Sequence, residues 1–569
     1  MDIIKKEWSV ILLALIVGFL TGYPQLLAIE KLGNDFRGIY QINSSDELYY
    51  LVWGQEAIDG HYYLANPYIY EHKGGPPFQF WIPAYILARG SELLSLSLPQ
   101  VYIAYDFFLP AILVLLTYLV IRLLTENRLL SLSGTILLHL GIFFNIFNRP
   151  ISPQFNFIFF LSLFIFLVAY LKKRKNVWLI LACFNLGLLF YIYPYYWTYY
   201  FTLLPLFAII NYLFLKNKLT AKNIALVIIL AFLIAIPYFV QVYQNLQVPF
   251  YNEVLKRLGM INSYFPSGPK IILPMTALLL IFGLFWQRGL VRLEPLSIFL
   301  VLAVISTGIV TNQHILTGKN IELASHYLLL SVFIFIFAGL YLIERFLKEK
   351  GRTLLPAVFF LLVTILSLSQ ALTVFDKQKN PTPSLVSWQR YGPLLVWFRE
   401  NTELDEVVFA SAELSAFIPA YTHNNVFYVR EANMHLMSDQ EVIRRFIINN
   451  YFQEPLDRKF LLENERSIWG VFYINRDLHF QLWNKIRKAL GLSEKILPRF
   501  PEDEIKKIIL LASEIKKLDF QKVISSYRID YLVWDTRKNP EWKLNKIMGL
   551  EKVNRIEEFE IYKLRNESK

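Results

Sequence analysis

The sequence predicts a polytopic α-helical membrane protein of about eleven transmembrane helices, followed by an extracytoplasmic α/β domain. Three observations carry this prediction. The 569 residues are 55% hydrophobic and only 18% charged, with a mean hydropathy of +0.39. The apolar residues fall in runs of about 20, the length that crosses a hydrocarbon core. Lys and Arg concentrate in every second short loop. These figures exclude a disordered chain, a collagen and a disulfide-stapled miniprotein. In a soluble protein the net charge of +12 would suggest nucleic acid. Here the cations lie between apolar runs, where they set membrane orientation, so no nucleic-acid partner is expected. The single cysteine, Cys183, lies inside an apolar run and excludes an intrachain disulfide.

The spans are expected near 9–28, 101–122, 129–147, 154–171, 177–194, 196–215, 223–241, 270–287, 293–311, 327–344 and 353–373. Lys5 and Lys6 precede the first, which is too long for a signal-peptide core and reads as a retained span. With these lysines inside, the inner loops carry Arg122 and Arg128, then Lys172 to Lys175, then Lys216, Lys218 and Lys222, then Arg288 and Arg292, and finally Arg345 to Arg352. Among the alternate loops, 148–153 holds Arg149 alone, 194–196 no cation and 312–326 Lys319 alone. That asymmetry places the N-terminus in the cytoplasm and the C-terminal domain outside.

Two outer segments are long. The first, 29–100, is rich in Tyr, Pro and Gly, and its stretch 78–98 predicts a helix lying along the membrane surface on Trp81, Tyr85 and Leu87. The second begins near 375, giving a transmembrane unit at 1–375 and an outer α/β domain at 376–569. Strands are expected at Glu406–Ala410, Val426–Val429, Ile468–Tyr473, Tyr531–Trp534 and Glu558–Tyr562, and helices at Ser438–Tyr451 and His479–Leu490. Glu431, His423 and His435 in this domain are expected at its surface. It holds no nucleotide-binding loop and no metal-ligand spacing.

The first outer segment holds the chemistry-bearing residues. It contains Asp46-Glu47-Leu48-Tyr49-Tyr50 and, further on, Glu71-His72-Lys73-Gly74-Gly75-Pro76-Pro77 before the surface helix. Adjacent carboxylates repel, which suits a raised pKa or a shared cation, and a carboxylate at the membrane boundary can take a proton from a hydroxyl. The bland alternative is that Asp46 caps a helix starting at Glu47.

This segment resembles the first periplasmic loop of the GT-C superfamily of membrane glycosyltransferases, closest to the protein O-mannosyltransferase and aminoarabinose-transferase branch. Asp46-Glu47-Leu48-Tyr49-Tyr50 fits the family's acidic motif after span one. Glu71 to Pro77 fits its second element with three additional residues. The layout of 1–375 is similar; the matching residues lie within 46–81. The resemblance implies a GT-C-like fold and transfer of a sugar from a polyprenyl-phosphate donor to a glycan, lipid or protein acceptor, at the outer face of a prokaryotic plasma membrane. It also implies an inverting displacement, with Asp46 and Glu47 catalytic and Tyr50, Glu71, His72 and Lys73 binding substrate. The chain departs from the family in the loop after span three, Asn148-Arg149-Pro150-Ile151-Ser152-Pro153-Gln154, which has no carboxylate. Arg149 there can clamp the donor phosphate or simply snorkel. The missing carboxylate leaves no cofactor assigned, although a divalent metal stays open.

The outer loop 312–327 is polar for its position, and Lys319, His314 and His326 are candidate contacts to the donor phosphate. Zinc binding by His314, Glu322 and His326 fits no standard spacing. The aromatic run Tyr191 to Tyr200 is an interfacial belt or a wall for a sugar or prenyl chain. The loop 242–269, with Lys256 and Arg257, is placed to cover the site. The main rival is a transporter or flippase of lipid-linked or polysaccharide substrates. That would need ionisable residues in mid-span, where the sequence is nearly free of charge.

Overall fold

The computed structural model describes residues 2–42, 44–78, 80–266, 268–320, 326–351 and 354–564. Among them, seven helical segments are long and apolar enough to cross a membrane: Glu7–Asp35, Leu98–Thr125, Pro150–Lys173, Pro269–Gln287, Pro295–Thr317, His326–Glu349 and Leu355–Asn401. The four other expected spans fall short, three by a break or bend and the tyrosine-rich Pro194–Leu213 by its hydropathy. Arg128–Ile136 runs into a wider π-helical turn, Leu137–Ile142, and ends there. Asn176–Ile192 stops before Pro194, which opens the tyrosine-rich helix Pro194–Leu213. Lys218–Ile234 and Ile236–Leu246 are one span only if their 54° bend is counted through. Pro237, with no N–H to donate, sits at the start of the second half of that pair. The helical part is therefore compatible with a polytopic membrane protein, with about seven of the eleven expected spans long and apolar enough by themselves. The spans are also not free of charge: Asp106 is buried within Leu98–Thr125.

The surface helix runs from Ile82 to Leu94. It buries Leu87 and Ala88 and leaves Ile86, Leu93 and Leu94 exposed, as a helix lying in the membrane boundary would. A Ser97–Gln100 capping box then starts Leu98–Thr125.

The C-terminal region forms one five-stranded sheet, in the order Asn425–Val426, Val407–Phe409, Tyr531–Asp535, Phe559–Leu564, Leu550–Ile556. The first three strands are parallel, and the last two join antiparallel. Successive side chains face opposite sides of the sheet. Val408, Tyr531, Val533, Phe559 and Ile561 pack in one core, while Val407, Phe409, Leu532, Trp534 and Tyr562 pack in another. The first core is completed by the first outer loop, through Tyr49, Leu51, Trp53, Tyr68 and Leu87. The outer loop and the sheet thus share a single hydrophobic core across position 375. Val426 N–H donates to the Tyr68 carbonyl at 3.0 Å, so the loop also covers the sheet's edge.

The strand expected at Ile468–Tyr473 is absent. A short helix, Glu465–Trp469, turns at Gly470 into the long helix Phe472–Ala489. Short apolar runs do not distinguish a strand from buried helical turns.

Candidate active site

The site is built on the helix Ser45–Ile58, whose first turn carries Asp46 and Glu47 where the helix dipole favours anions. Adjacent positions on a helix do not face each other, and the two carboxylates separate. Glu47 is buried and lies within electrostatic reach of Asp106. The Asp46 side chain is 58% exposed and accepts a hydrogen bond from Arg149 Nη1, 103 residues away. Asp46 thus has a guanidinium partner in Arg149.

Arg149 is presented by a turn anchored inside the bundle. Asp106 accepts hydrogen bonds from Gln25 at 2.6 Å and Gln154 at 2.5 Å. Gln154 also donates to the Phe147 carbonyl at 3.1 Å, and its own N–H donates to the Arg149 carbonyl at 3.3 Å. Asp106 thus ties the first helix, its own helix and the Arg149 turn together. Sequence reasoning missed it, because a lone aspartate in an apolar run reveals no partner until the glutamines are placed.

His326 lies close by, within electrostatic reach of both Asp46 and Arg149. Its ring stacks on Tyr195 with centroids 4.5 Å apart, and its Nδ1 is 2.8 Å from the Tyr193 hydroxyl. Part of the tyrosine run therefore stands beside the acid–arginine pair, and Phe80 meets Tyr193 edge-on. Tyr50 is buried among Trp53, Phe80 and Tyr49 and acts as packing for this corner.

Asp46 lines a cavity of about 190 Å³ together with Tyr49, Arg257, Arg430, Glu431 and Arg466. Arg257, at the end of the helix Tyr251–Arg257, is buried and fixed to the C-terminal domain. It donates to the carbonyls of Asn433 (3.0 Å) and Met437 and to the Asp439 carboxylate. Its own carbonyl accepts from Val471 N–H at 2.9 Å. Gly470 makes this approach feasible: its φ is +59°, and a Cβ there would lie 2.1 Å from the Arg257 oxygen. Pairing around the cavity leaves one cation over. Arg149 takes Asp46, Arg257 takes Asp439 and Arg430 takes Glu431, while Arg466 is exposed with no carboxylate partner among the described residues. A cavity with a spare guanidinium suits an anion.

Tyr49 links this cavity to the interior. Its hydroxyl lies 3.0 Å from His435 Nε2, and His435 Nδ1 lies 2.7 Å from the Ala65 carbonyl. Burial pushes the His435 imidazole down to about 4, so it is neutral at physiological pH and holds Tyr49 in place. His435 is therefore not the surface group expected. Glu431 lines the cavity, and His423 Nε2 is half-buried against the Thr402 carbonyl at 2.9 Å.

The other candidates lie elsewhere. Glu71 pairs with Arg445 at 3.0 Å, His72 with Glu441 at 2.9 Å, and Lys73 with Glu56 at 2.8 Å and with Asp405. All three fasten the first outer loop to the C-terminal domain instead of lining the cavity. Burial lifts the Glu56 carboxyl to about 7 against the pull of Lys73, and Asp59 beside it to about 6. Asp405 stays well below the usual carboxylate range: burial would raise it, but His61 and Lys73 outweigh that. His314 is buried with its Nε2 2.7 Å from the Phe265 carbonyl, and Lys319 is exposed on a two-residue strand paired with Ile261–Asn262. Neither lines the cavity. Glu322 lies outside the described residues, and among those described no three His, Cys, Asp or Glu side chains gather as a metal site.

Comparison with known proteins adds no assignment: no family model and no curated protein matches the chain.

Proposed function

We propose that the chain is a membrane glycosyltransferase of GT-C type, moving a sugar from a polyprenyl-phosphate donor to an acceptor hydroxyl. In this reading the eleven apolar helices all cross or enter the bilayer of a prokaryotic plasma membrane. The N-terminus is cytoplasmic and the cavity faces outward. The observation that carries the proposal is the meeting of Arg149 with Asp46, which lines the first cavity.

The chemistry follows from those groups. Asp46 takes the proton of the acceptor hydroxyl, whose oxygen attacks the donor's anomeric carbon. The bond from that carbon to the phosphate oxygen breaks, and its electron pair leaves with the polyprenyl phosphate. Arg149 and Arg466 stabilise the departing anion. A bound phosphate competes for Arg149 and frees the Asp46 carboxylate to act as base. Direct displacement inverts the anomeric centre. A donor that cannot leave the bilayer needs its site at the membrane edge, where Asp46, Arg149 and His326 gather.

A transporter or flippase is the second reading, favoured by the buried intramembrane Asp106. Reconstituted chain supplied with a radiolabelled polyprenyl-phosphate hexose separates the two. Label in a new glycosidic product supports the transferase. Label that crosses the bilayer still attached to polyprenyl phosphate, with no product, supports the flippase and removes the proposal.

A further inference from the structure

A second cavity, about 460 Å³, adjoins the first and shares Tyr49, Arg430 and Glu431 with it. It lies where the first outer loop meets the C-terminal domain, and its size falls within the roughly 300–1,000 Å³ of small-molecule sites. Its walls are aromatic: Tyr49 and Tyr68 from the loop, Trp388, Phe417 and Tyr428 from the domain. Trp388 is half-buried; its indole N–H donates to Glu413 at 3.0 Å, and its ring tilts on Phe417 with centroids 5.2 Å apart. This fixes one indole as part of the wall.

The charged groups here are already matched. Glu413 is held by Lys538, the Tyr391 hydroxyl and Trp388, and Glu431 by Arg430. An anion would therefore meet no spare cation in this cavity, in contrast to its neighbour with Arg466. Two hydroxyls are left over instead. The Tyr68 oxygen, on a side chain only 1% exposed, and the Ser44 oxygen are both buried without a hydrogen-bond partner among the described residues. Both belong to residues that line this cavity, and a buried hydroxyl left unpaired carries its full desolvation cost. Aromatic faces for C–H surfaces, matched charge and unpaired hydroxyls together describe the recognition of an uncharged sugar.

We propose that this second cavity binds the acceptor and that the acceptor is an uncharged glycan. The inference rests on the transferase reading and supplies its missing substrate class. Asp46 and Tyr49 lie one turn apart on the helix Ser45–Ile58. A glycan seated against Tyr49 and Tyr68 therefore directs its end into the first cavity. There its terminal hydroxyl gives its proton to Asp46 as its oxygen joins the donor's anomeric carbon, and the phosphate leaves with the electrons of the broken bond.

Binding is read without donor, so it is independent of transfer. The full chain in detergent is titrated with a panel of neutral gluco-, galacto- and manno-oligosaccharides and with a Ser/Thr-rich peptide, using saturation-transfer NMR. At least one neutral oligosaccharide should bind, and the peptide should not. Trp388→Ala should weaken binding about tenfold, as expected for loss of a stacking face. Tyr68→Phe should weaken it about three- to tenfold through loss of one hydrogen bond, with an unchanged melting temperature. Trp388→Phe should restore most of the loss. Failure of every oligosaccharide to bind overturns the proposal, as do binding that Tyr68→Phe leaves intact and competition by the peptide. Glycan binding without transfer would instead count against the chemistry assigned to Asp46 and leave this cavity's role standing.

Discussion

Removing the Lys73 ammonium should loosen the seam between the first outer loop and the C-terminal sheet, and far more at pH 8 than at pH 5.5. Lys73 is 11% exposed at its side chain and lies between Glu56, 9% exposed, and Asp405, 17% exposed. Glu56 titrates near 7 in the fold against 4.5 for an ordinary glutamate. A carboxyl raised in this way contributes stability that is complete below pH 4.5 and is lost as the pH rises through 7. The gap corresponds to about 3 kcal/mol. Asp405 behaves oppositely: its stabilisation holds above the usual aspartate value and fades on acidification. In Lys73→Ala the ammonium that holds the Glu56 carboxyl down is gone, so at pH 8 Glu56 must either stay ionised and buried beside Asp405 or take up a proton, a loss of about 3–5 kcal/mol. At pH 5.5 Glu56 is protonated, and His61, 3.0 Å from Asp405 with its own pKa raised mainly by that contact, supplies a replacement cation. The loss there should shrink to about 1–2 kcal/mol. Hydrogen-exchange mass spectrometry over 45–61 and 403–426, corrected for intrinsic rates, reads the local opening energy directly. Equal losses at the two pH values, or none at pH 8, would refute this reasoning.

Arg149→Ala should raise the donor concentration needed for half-maximal transfer, whereas Lys319→Ala, off the cavity, should leave it unchanged; donor titrations of the two variants decide the point. Asp106→Asn should lower kcat about tenfold through slackening of the Arg149 turn, at a cost of about 1–3 kcal/mol, while leaving acceptor affinity intact; steady-state kinetics on both substrates tests this. Gly470→Ala should lower the thermal midpoint by several degrees, since the backbone conformation alone costs about 1–3 kcal/mol for a residue with a Cβ. An unchanged melting curve would mean the Arg257–Gly470 approach is not fixed.

The helical layout could be read from composition and the run lengths, because hydropathy over about 20 residues is a strong signal. Of the four other runs, Pro194–Leu213 is long enough but too rich in tyrosine, and three are shortened or bent by Pro194, Pro237 and the turn at Leu137–Ile142. Hydropathy does not register such backbone chemistry. Most of the C-terminal sheet was apparent from apolar runs at 406–410, 426–429, 531–534 and 558–562. The edge strand Leu550–Ile556 was not, since four of its seven residues are polar or charged. Within the site, Asp46 stood out because it follows the first span. Arg257 was noticed only as part of a covering loop and Arg466 not at all, because their meaning arises only when the loop at 251–262 docks on the C-terminal domain. Glu71, His72 and Lys73 drew notice as a charged cluster, yet each found an ion pair across the shared core. A charge-rich segment looks the same in sequence whether its partners are substrate or protein.

The most direct measurement is the turnover of Asp46→Asn in the lipid-linked sugar assay, alongside its thermal midpoint. The Asp46 side chain is more than half exposed, although its partner Arg149 is half-buried, so the substitution should change stability by only about 1 kcal/mol. Loss of a general base should reduce transfer by about 10²–10⁴-fold. A folded Asp46→Asn protein that still transfers sugar at the wild-type rate would contradict the account.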